Sequence, residues 1–396
     1  MVNSYLIYTD TDGETIFAKN GSTGDIDYVG KNASIVIQQA LNNLTFGRTW
    51  KEKIEIQGNY TIINSLDIPS YTIVELNGTL TRSGTGYHLI TGSSVNNIEI
   101  LSGIIVSAHK VTTVYDTDEI DFIDSNDILI DGVRIENAAE DAIMFRGTSH
   151  DIKITRCNLI NSCIHAIDLI ESCYNVIVSD NYVDGVSYYD GITVYVYNGH
   201  DIVISKNTIT NVLGEYNDEV GTSSSAIHIE DTTPSDSNYI TITENTIYNC
   251  TFGITTWQGR PCTITKNTIK NTLRGIFLGH PMWSTINENI IDNSEMTEEN
   301  NGIYIAGAIH NLISYNIIRG DSGSLYTTGI YHTKEGDYNN NDIIGNEFHC
   351  CFMAMKNVGS DNTFLNNKSY YNVNINSTPP GAIIEIKKHD MHIFHE

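Results

Sequence analysis

The chain has 396 residues, 22 Lys and Arg against 48 Asp and Glu, a formal net charge of −26 and only 6 Pro. A chain this acidic, with no Lys/Arg cluster, repels nucleic acid, and no apolar run approaches the ~20 residues of a membrane-spanning helix. Charged residues make up only 18%, while Asn, Ile, Thr and Gly recur in short alternating runs, a pattern of many brief strands joined by polar turns.

In chain order, the loop DTDGE at residues 10–14 reads as an Asp-Gly hairpin turn, because the later ligands of a calcium loop do not follow it. Residues 33–44 (ASIVIQQALNNL) place Ile35, Val36, Ile37, Ala40, Leu41 and Leu44 on a short amphipathic helix with Asn32 as its N-cap. Such a helix covers the apolar end of a repeat array, whose first repeat otherwise exposes core and strand edges. Residues 1–50 are therefore assigned to N-terminal strands and a capping helix, and residues 51–396 to the repeat body, within one structural domain.

KIEIQGNYTI and YTIVELNGTLTRSG read as first, irregular repeats, and from residue 128 onward a phrase of the form I-x-I-x-x-N-x-I-x-N recurs. Its anchor falls at Val133, Cys157, Asn181, Asn207, Asn245, Asn267, Asn289, Asn316, Asn346 and Asn367, with most steps between 21 and 27 residues. This period is too short for a two-helix repeat and suits one turn of a three-faced coil. The fold expected is all-β, a right-handed parallel β-helix of about ten or more rungs. Stacked Asn at an inward turn can tie one rung's side-chain amide to the next rung's backbone, so the anchors are scaffold. A second phrase (DAIMFRG, HAIDLIE, DGITVYV, SAIHIED and later forms) turns Ile143, Ile167, Ile192, Ile227, Ile254, Ile276, Ile303 and Ile330 inward and leaves their neighbours facing solvent.

Aligned on that column, the turn position reads Asp118, Asp141, His165, Asp190, Ser225, Phe252, Arg274, Asn301, Thr328 and Met353. The first outward position reads Asp121, Met144, Asp168, Thr193, His228, Thr255, Phe277, Tyr304 and Tyr331, and the next contributes Arg146, Tyr195, Glu230 and Trp257. Acids beside a strip of flat rings are what glycan hydrolysis needs: an acid for the leaving oxygen, a base for water, and rings to hold sugars. Rungs ~4.8 Å apart should set Asp118, Asp141, His165 and Asp190 along one groove edge, with at least one carboxyl and His165 shifted upward. The substrate-binding candidates are Arg146, Asp168, Tyr195, His228, Glu230, Trp257, Arg274, Phe277, Tyr304 and Tyr331, the later aromatics partly exposed near Arg274 and His280. Insertions at 212–225, 294–301 and 321–328 leave the rung at one edge, as walls beside a groove would.

The amphipathic helix, the segment GNYTIINSLDIPSYTIVELNGTL and the Asn-rich coils together resemble the pectate-lyase-like superfamily of right-handed parallel β-helices across nearly the whole chain. The resemblance implies a polysaccharide or oligosaccharide partner and spans lyases, hydrolases, epimerases, esterases, tailspikes and binding-only proteins. More narrowly, DTDEIDFIDSNDILIDGVRIENAAEDAIMFRG followed by IHAIDLIES is similar to the polygalacturonase-type hydrolases of glycoside hydrolase family 28. Carried over, Asp118 matches the Asp of that family's first motif, Glu140 and Asp141 its acid pair, and His165 its histidine, spaced 23 and 24 residues apart, and Asp190 continues the same turn column. Asp116, Glu119, Glu140 (in place of one Asp), Ile164 and Ala166 depart from the family pattern, and its Arg-Ile-Lys segment has no counterpart.

Three functions follow as expectations: a polysaccharide hydrolase working through paired carboxylates first, a calcium-assisted lyase or epimerase second, and a glycan-binding adhesin or surface-structure protein third. No cofactor is required by the first; calcium is the ion that Asp118, Asp121, Asp141 and Asp168 could hold for the second. Seven cysteines, an odd number without CxxC spacing, indicate neither zinc nor a disulfide framework. MVNSYLIYTD lacks the features of a signal peptide, and because polymer-handling solenoids act outside cells the chain is read as extracellular or cell-surface with its signal removed.

Overall fold

A computed structural model of the protein describes residues 4–107, 117–197, 199–214, 224–231, 239–257, 261–320, 327–332, 340–351, 353–356, 362–370 and 384–386. Asp116 and most of the insertions at 212–225 and 321–328 lie outside the described residues. The chain forms two compact units, Met1–Tyr188 and Tyr189–Glu396. Both are built as right-handed parallel β-helix, and among the described residues no helix is long and apolar enough to cross a membrane.

The N-terminal unit opens with an antiparallel hairpin, Tyr5–Thr9 against Ile16–Asn20, whose first strand also pairs in parallel with Glu52–Ile62. The helix runs Ala33–Asn42, and the Asn32 side chain accepts from the Ile35 N–H as an N-cap. Val36, Ile37, Ala40, Leu41 and Leu44 are buried as expected, but Ile35 is 51% exposed. At 100° per residue Ile35 lies off the stripe made by Val36, Ile37, Ala40 and Leu41, so it does not belong to the capping face. Regular rungs follow, each of three strands: Ile120–Ile123, Asn126–Asp131 and Arg134–Glu136 stack on Ile143–Arg146, His150–Thr155 and Asn158–Ser162. Ile90, Ile120, Ile143 and Ile167 stand in register and are wholly buried.

The C-terminal unit repeats the plan. Ile192, Ile227, Ile254, Ile276, Ile303 and Ile330 pair rung to rung with no exposed surface. At the inward corner, the Asn245, Asn267, Asn289, Asn316, Asn346 and Asn367 Oδ1 atoms each accept the N–H of the Asn one rung earlier at 2.9–3.0 Å. Their Nδ2 groups reach back to strand carbonyls, as from Asn289 to Ile264 at 2.9 Å. Each anchor follows a residue in left-handed backbone, as at Lys206, Glu244, Lys266, Glu288 and Tyr315. That conformation costs a non-glycine residue roughly 1–2 kcal/mol, and the Asn bonds offset it by pairing the corner N–H that the turn takes out of the strand ladder. A parallel ladder, Ser284 to Asn311 to Asn341 to Asn362, runs at the neighbouring corner.

Asn289→Ala should lower stability by about 3 kcal/mol in urea unfolding, since it leaves the buried Asn267 N–H and Ile264 carbonyl unpaired. A loss under about 0.5 kcal/mol would mean that the corner needs no side-chain partner.

Candidate active site

The register Ile90–Ile120–Ile143–Ile167 carries the residues two positions earlier, His88, Asp118, Asp141 and His165, into one turn column of the N-terminal unit. Each carboxylate here has a structural bond. Asp118 Oδ1 accepts the Asp141 N–H at 3.1 Å, and Asp141 Oδ1 accepts the His165 N–H at 2.8 Å. What remains faces imidazole: His88 Nδ1 is 3.2 Å from Asp118 Oδ2, and His165 Nδ1 is 3.0 Å from Asp141 Oδ1 and 3.7 Å from Asp168 Oδ2. The histidine side chains are each 15% exposed, whereas those of Asp118 and Asp141 are 2% and 5% exposed. Buried acids therefore orient partly exposed imidazoles.

Asp121 and Asp168 occupy the first outward column, yet both are buried, as are Thr193, Thr255 and Phe277. The expectation that these side chains face solvent is corrected: Arg146 lies against Asp121 and Arg274 covers Phe277. Arg146 Nη2 lies 3.1 Å and His88 Nε2 3.6 Å from Asp121 Oδ2, and the buried Asp121 Oδ1 has no hydrogen-bond partner among the described residues. Glu140 accepts from the Thr117 N–H at 3.1 Å. Glu119, at the position where the family 28 pattern has Gly, points into the core and pairs with the wholly buried Arg82 at 2.9 Å.

Burial, the largest cause, pushes the Asp118 carboxyl up to about 7, with repulsion from Asp141 and Glu140 adding and the His88 bond opposing. For His88 burial works downward, but the bond to Asp118 and the charges of Asp121 and Asp118 outweigh it and raise the imidazole. Sequence reasoning missed His88. It precedes Ile90 by two residues as Asp118 precedes Ile120, but that rung is 30 residues long and broke the visible period.

Of the four carboxylates considered for calcium, Asp141 and Asp168 join His165 in a group whose ligand atoms lie within 4.8 Å of one another. Asp118 and Asp121 are directed instead to His88 and Arg146. Two carboxylates with an imidazole suit a transition metal better than calcium, which prefers oxygen ligands alone.

In the C-terminal unit Asp190 Oδ1 accepts the Ser225 N–H at 2.6 Å and its Oδ2 lies 2.9 Å from His228 Nδ1, the same couple again. His228 Nε2 faces Glu230 Oε2 at 3.9 Å. The aromatic strip is present: Trp257–Phe277, Phe277–Tyr304 and Tyr304–Tyr331 ring centroids lie 5.6, 5.2 and 4.9 Å apart. Trp257, Tyr304 and Tyr331 are partly exposed. Phe277 is only 6% exposed, contrary to expectation, because the Arg274 guanidinium covers it at 5.0 Å while lying 4.1 Å over Tyr304.

These coils define the class, right-handed parallel β-helix proteins, and residues 186–369 match the model of the right handed beta helix region. The chain belongs to the family described as periplasmic copper-binding protein (NosD), whose model matches residues 70–272. No curated protein matches the sequence. Among solved structures the mannuronan C-5 epimerase AlgE6 A-module of Azotobacter vinelandii is similar, with a TM-score of 0.71 at 11% identity over 85% of this chain and 95% of that one. The family 28 exopolygalacturonase of Yersinia enterocolitica gives 0.57 at 13% identity over 90% of this chain and 82% of that one. The tailspike of E. coli bacteriophage HK620, solved with a pentasaccharide, gives 0.58 at 11% identity over 92% of this chain and 69% of that one. At these identities the likeness establishes the fold.

Because Asp118 holds its proton in the folded state up to about pH 7 against 3.8 when unfolded, its contribution to stability is present below pH 3.8 and is lost as pH rises through 7. The raised His88 acts in the same direction, its contribution fading above its ordinary 6.5. Asp118→Asn should therefore flatten the fall in melting temperature between about pH 4 and 7; a variant that keeps the native slope would place the titrating group elsewhere.

Proposed function

We propose that the chain is a carbohydrate-active protein that cleaves polysaccharide by hydrolysis, using the couples Asp118–His88 and Asp141–His165. The observation that carries this reading is the placement of two buried carboxylates in one turn column, tied by the Asp141 N–H to Asp118 Oδ1 bond, each with its own partly exposed imidazole. A raised Asp118 beside Asp141 supplies one group that keeps a proton near neutrality and one placed to take a proton. In the reaction the first couple gives its proton to the glycosidic oxygen as the C–O bond breaks. The second takes a proton from water, whose oxygen bonds to the anomeric carbon, so one sugar gains the hydroxyl and the other the proton. Arg146, 27% exposed beside Asp121, is placed to hold a substrate oxygen. The family's description and the glycan-handling neighbours support an exported location.

A second reading rests on the Asp141, His165 and Asp168 group. Its imidazole and two carboxylates fit the copper of the family's description, since nitrogen and oxygen donors suit cupric ion. Bound there, a metal would supply Lewis acidity, as lyase or epimerase chemistry at a uronate needs. The chain's own part in that reading is to hold His165 between two carboxylates and present Arg146 to a uronate carboxylate.

Incubation with a panel of neutral and uronate polysaccharides separates hydrolysis from elimination. Hydrolysis yields reducing ends alone, while elimination yields reducing ends together with the ultraviolet absorbance of an unsaturated product. Asp141→Asn should abolish reducing-end release while leaving the melting temperature within a few degrees of native, because the amide oxygen still accepts the His165 N–H. An unchanged rate in that variant would remove hydrolysis through this centre.

A further inference from the structure

The C-terminal unit carries acid, imidazole and indole groups that the cleavage chemistry leaves unused. Tyr195, Glu230 and Trp257 stand on successive rungs of one outward column, Tyr195 opposite Glu230 and Glu230 opposite Trp257, and each is partly exposed. At ~4.8 Å per rung the carboxyl sits between two aromatic residues about 9.6 Å apart.

Trp257 has a shaped seat. Gly279 is its partner in the next rung, and a Cβ there would fall 2.4 Å from the indole Cε3 and 2.9 Å from Cζ3. The indole thus lies across bare backbone with one face, with Phe277 at 5.6 Å and an edge-on His280 at 5.7 Å fixing its position. The Trp257 side chain is partly exposed. On the rung below, His228 is held from one ring nitrogen by Asp190 at 2.9 Å and presents the other toward Glu230 at 3.9 Å. Burial raises Glu230, with His228 opposing and Asp190 adding, and its partly exposed carboxyl oxygens are acceptors for hydroxyl groups. The Glu230 carboxylate beside the indole disfavours an anionic sugar, whereas the apolar C–H face of a pyranose ring matches an aromatic face and its hydroxyls match carboxylate and imidazole.

We propose that Trp257, Glu230 and Tyr195, with His228 positioned by Asp190, form a subsite for an uncharged hexopyranose residue of a glycan. The sugar ring rests on the indole, and its hydroxyls bond Glu230 and His228. The subsite lies wholly within the C-terminal unit and shares with the cleavage reading only the class of ligand; no group of the Asp118–Asp141 centre takes part.

The test is affinity electrophoresis of the full chain through gels containing neutral glucan, mannan or galactan, or polygalacturonate. Native protein, Trp257→Ala, Gly279→Ala, Glu230→Gln and Asp141→Asn are run together after circular dichroism has confirmed folding. Native protein and Asp141→Asn should be retarded equally by at least one neutral glycan. Trp257→Ala should weaken that binding by about tenfold or more, and Gly279→Ala should weaken it by displacing the indole. If Trp257→Ala does not fold, Gly279→Ala and Glu230→Gln carry the test, each with weakened retardation. Retardation by polygalacturonate alone, by no glycan, or at native strength in the indole and Gly279 variants overturns the subsite. None of these outcomes touches the cleavage reading, which stands or falls on reducing-end release in Asp141→Asn.

Discussion

The structure depends on one interaction, a side-chain oxygen at a coil's turn that accepts the backbone N–H of a neighbouring rung. A parallel coil must leave its strand ladder at each corner, and left-handed residues such as Lys266 and Glu288 accomplish this at the cost of an N–H with no strand partner. The Asn267 N–H meets that need at Asn289 Oδ1 and the Asn289 N–H at Asn316 Oδ1, so satisfaction at one rung presupposes the next. The apolar Ile columns supply the general driving force for burial. The ladders fix the register in which that burial occurs.

The same device, made with Asp in place of Asn, produces the candidate chemistry. A carboxylate has acceptor capacity to spare after one oxygen has taken a backbone N–H. In Asp118 and Asp190 the second oxygen faces an imidazole, and in Asp141 one oxygen serves both. Three His–Asp couples thus arise from a scaffold bond, His88–Asp118 and His165–Asp141 in the N-terminal unit and His228–Asp190 in the C-terminal unit. Their wiring differs. His165 turns a single nitrogen toward two carboxylates, a chelating arrangement, whereas His228 has a carboxylate at each nitrogen, which positions it against a ligand.

The period, the Asn anchors, the inward Ile column and the capping helix were legible because each rests on a residue choice that a buried corner or stripe forces. The turn column was legible from Asp118 to His165 for the same reason. His88 escaped because 30 residues, more than the usual period, separate it from Asp118, and the Ile90–Ile120 register recovers it. The second ladder, Asn311–Asn341–Asn362, repeats the steps of Asn316–Asn346–Asn367 five residues earlier and was open to the same counting. Burial of Asp121, Asp168 and Phe277 was not legible: strand alternation tells which way a side chain leaves the sheet but not whether Arg146 or Arg274 lies across it.

The central claim is that a turn carboxylate used as scaffold also stores a proton for chemistry at the face. Carbon-detected NMR titration of the Asp side-chain carboxyls tests it most directly. The account predicts one carboxyl titrating at about 7, assigned to Asp118 by its loss in Asp118→Asn, and moved upward in His88→Ala where the lowering bond is gone. All Asp carboxyls titrating near the ordinary 3.8, with none responding to His88→Ala, would contradict it.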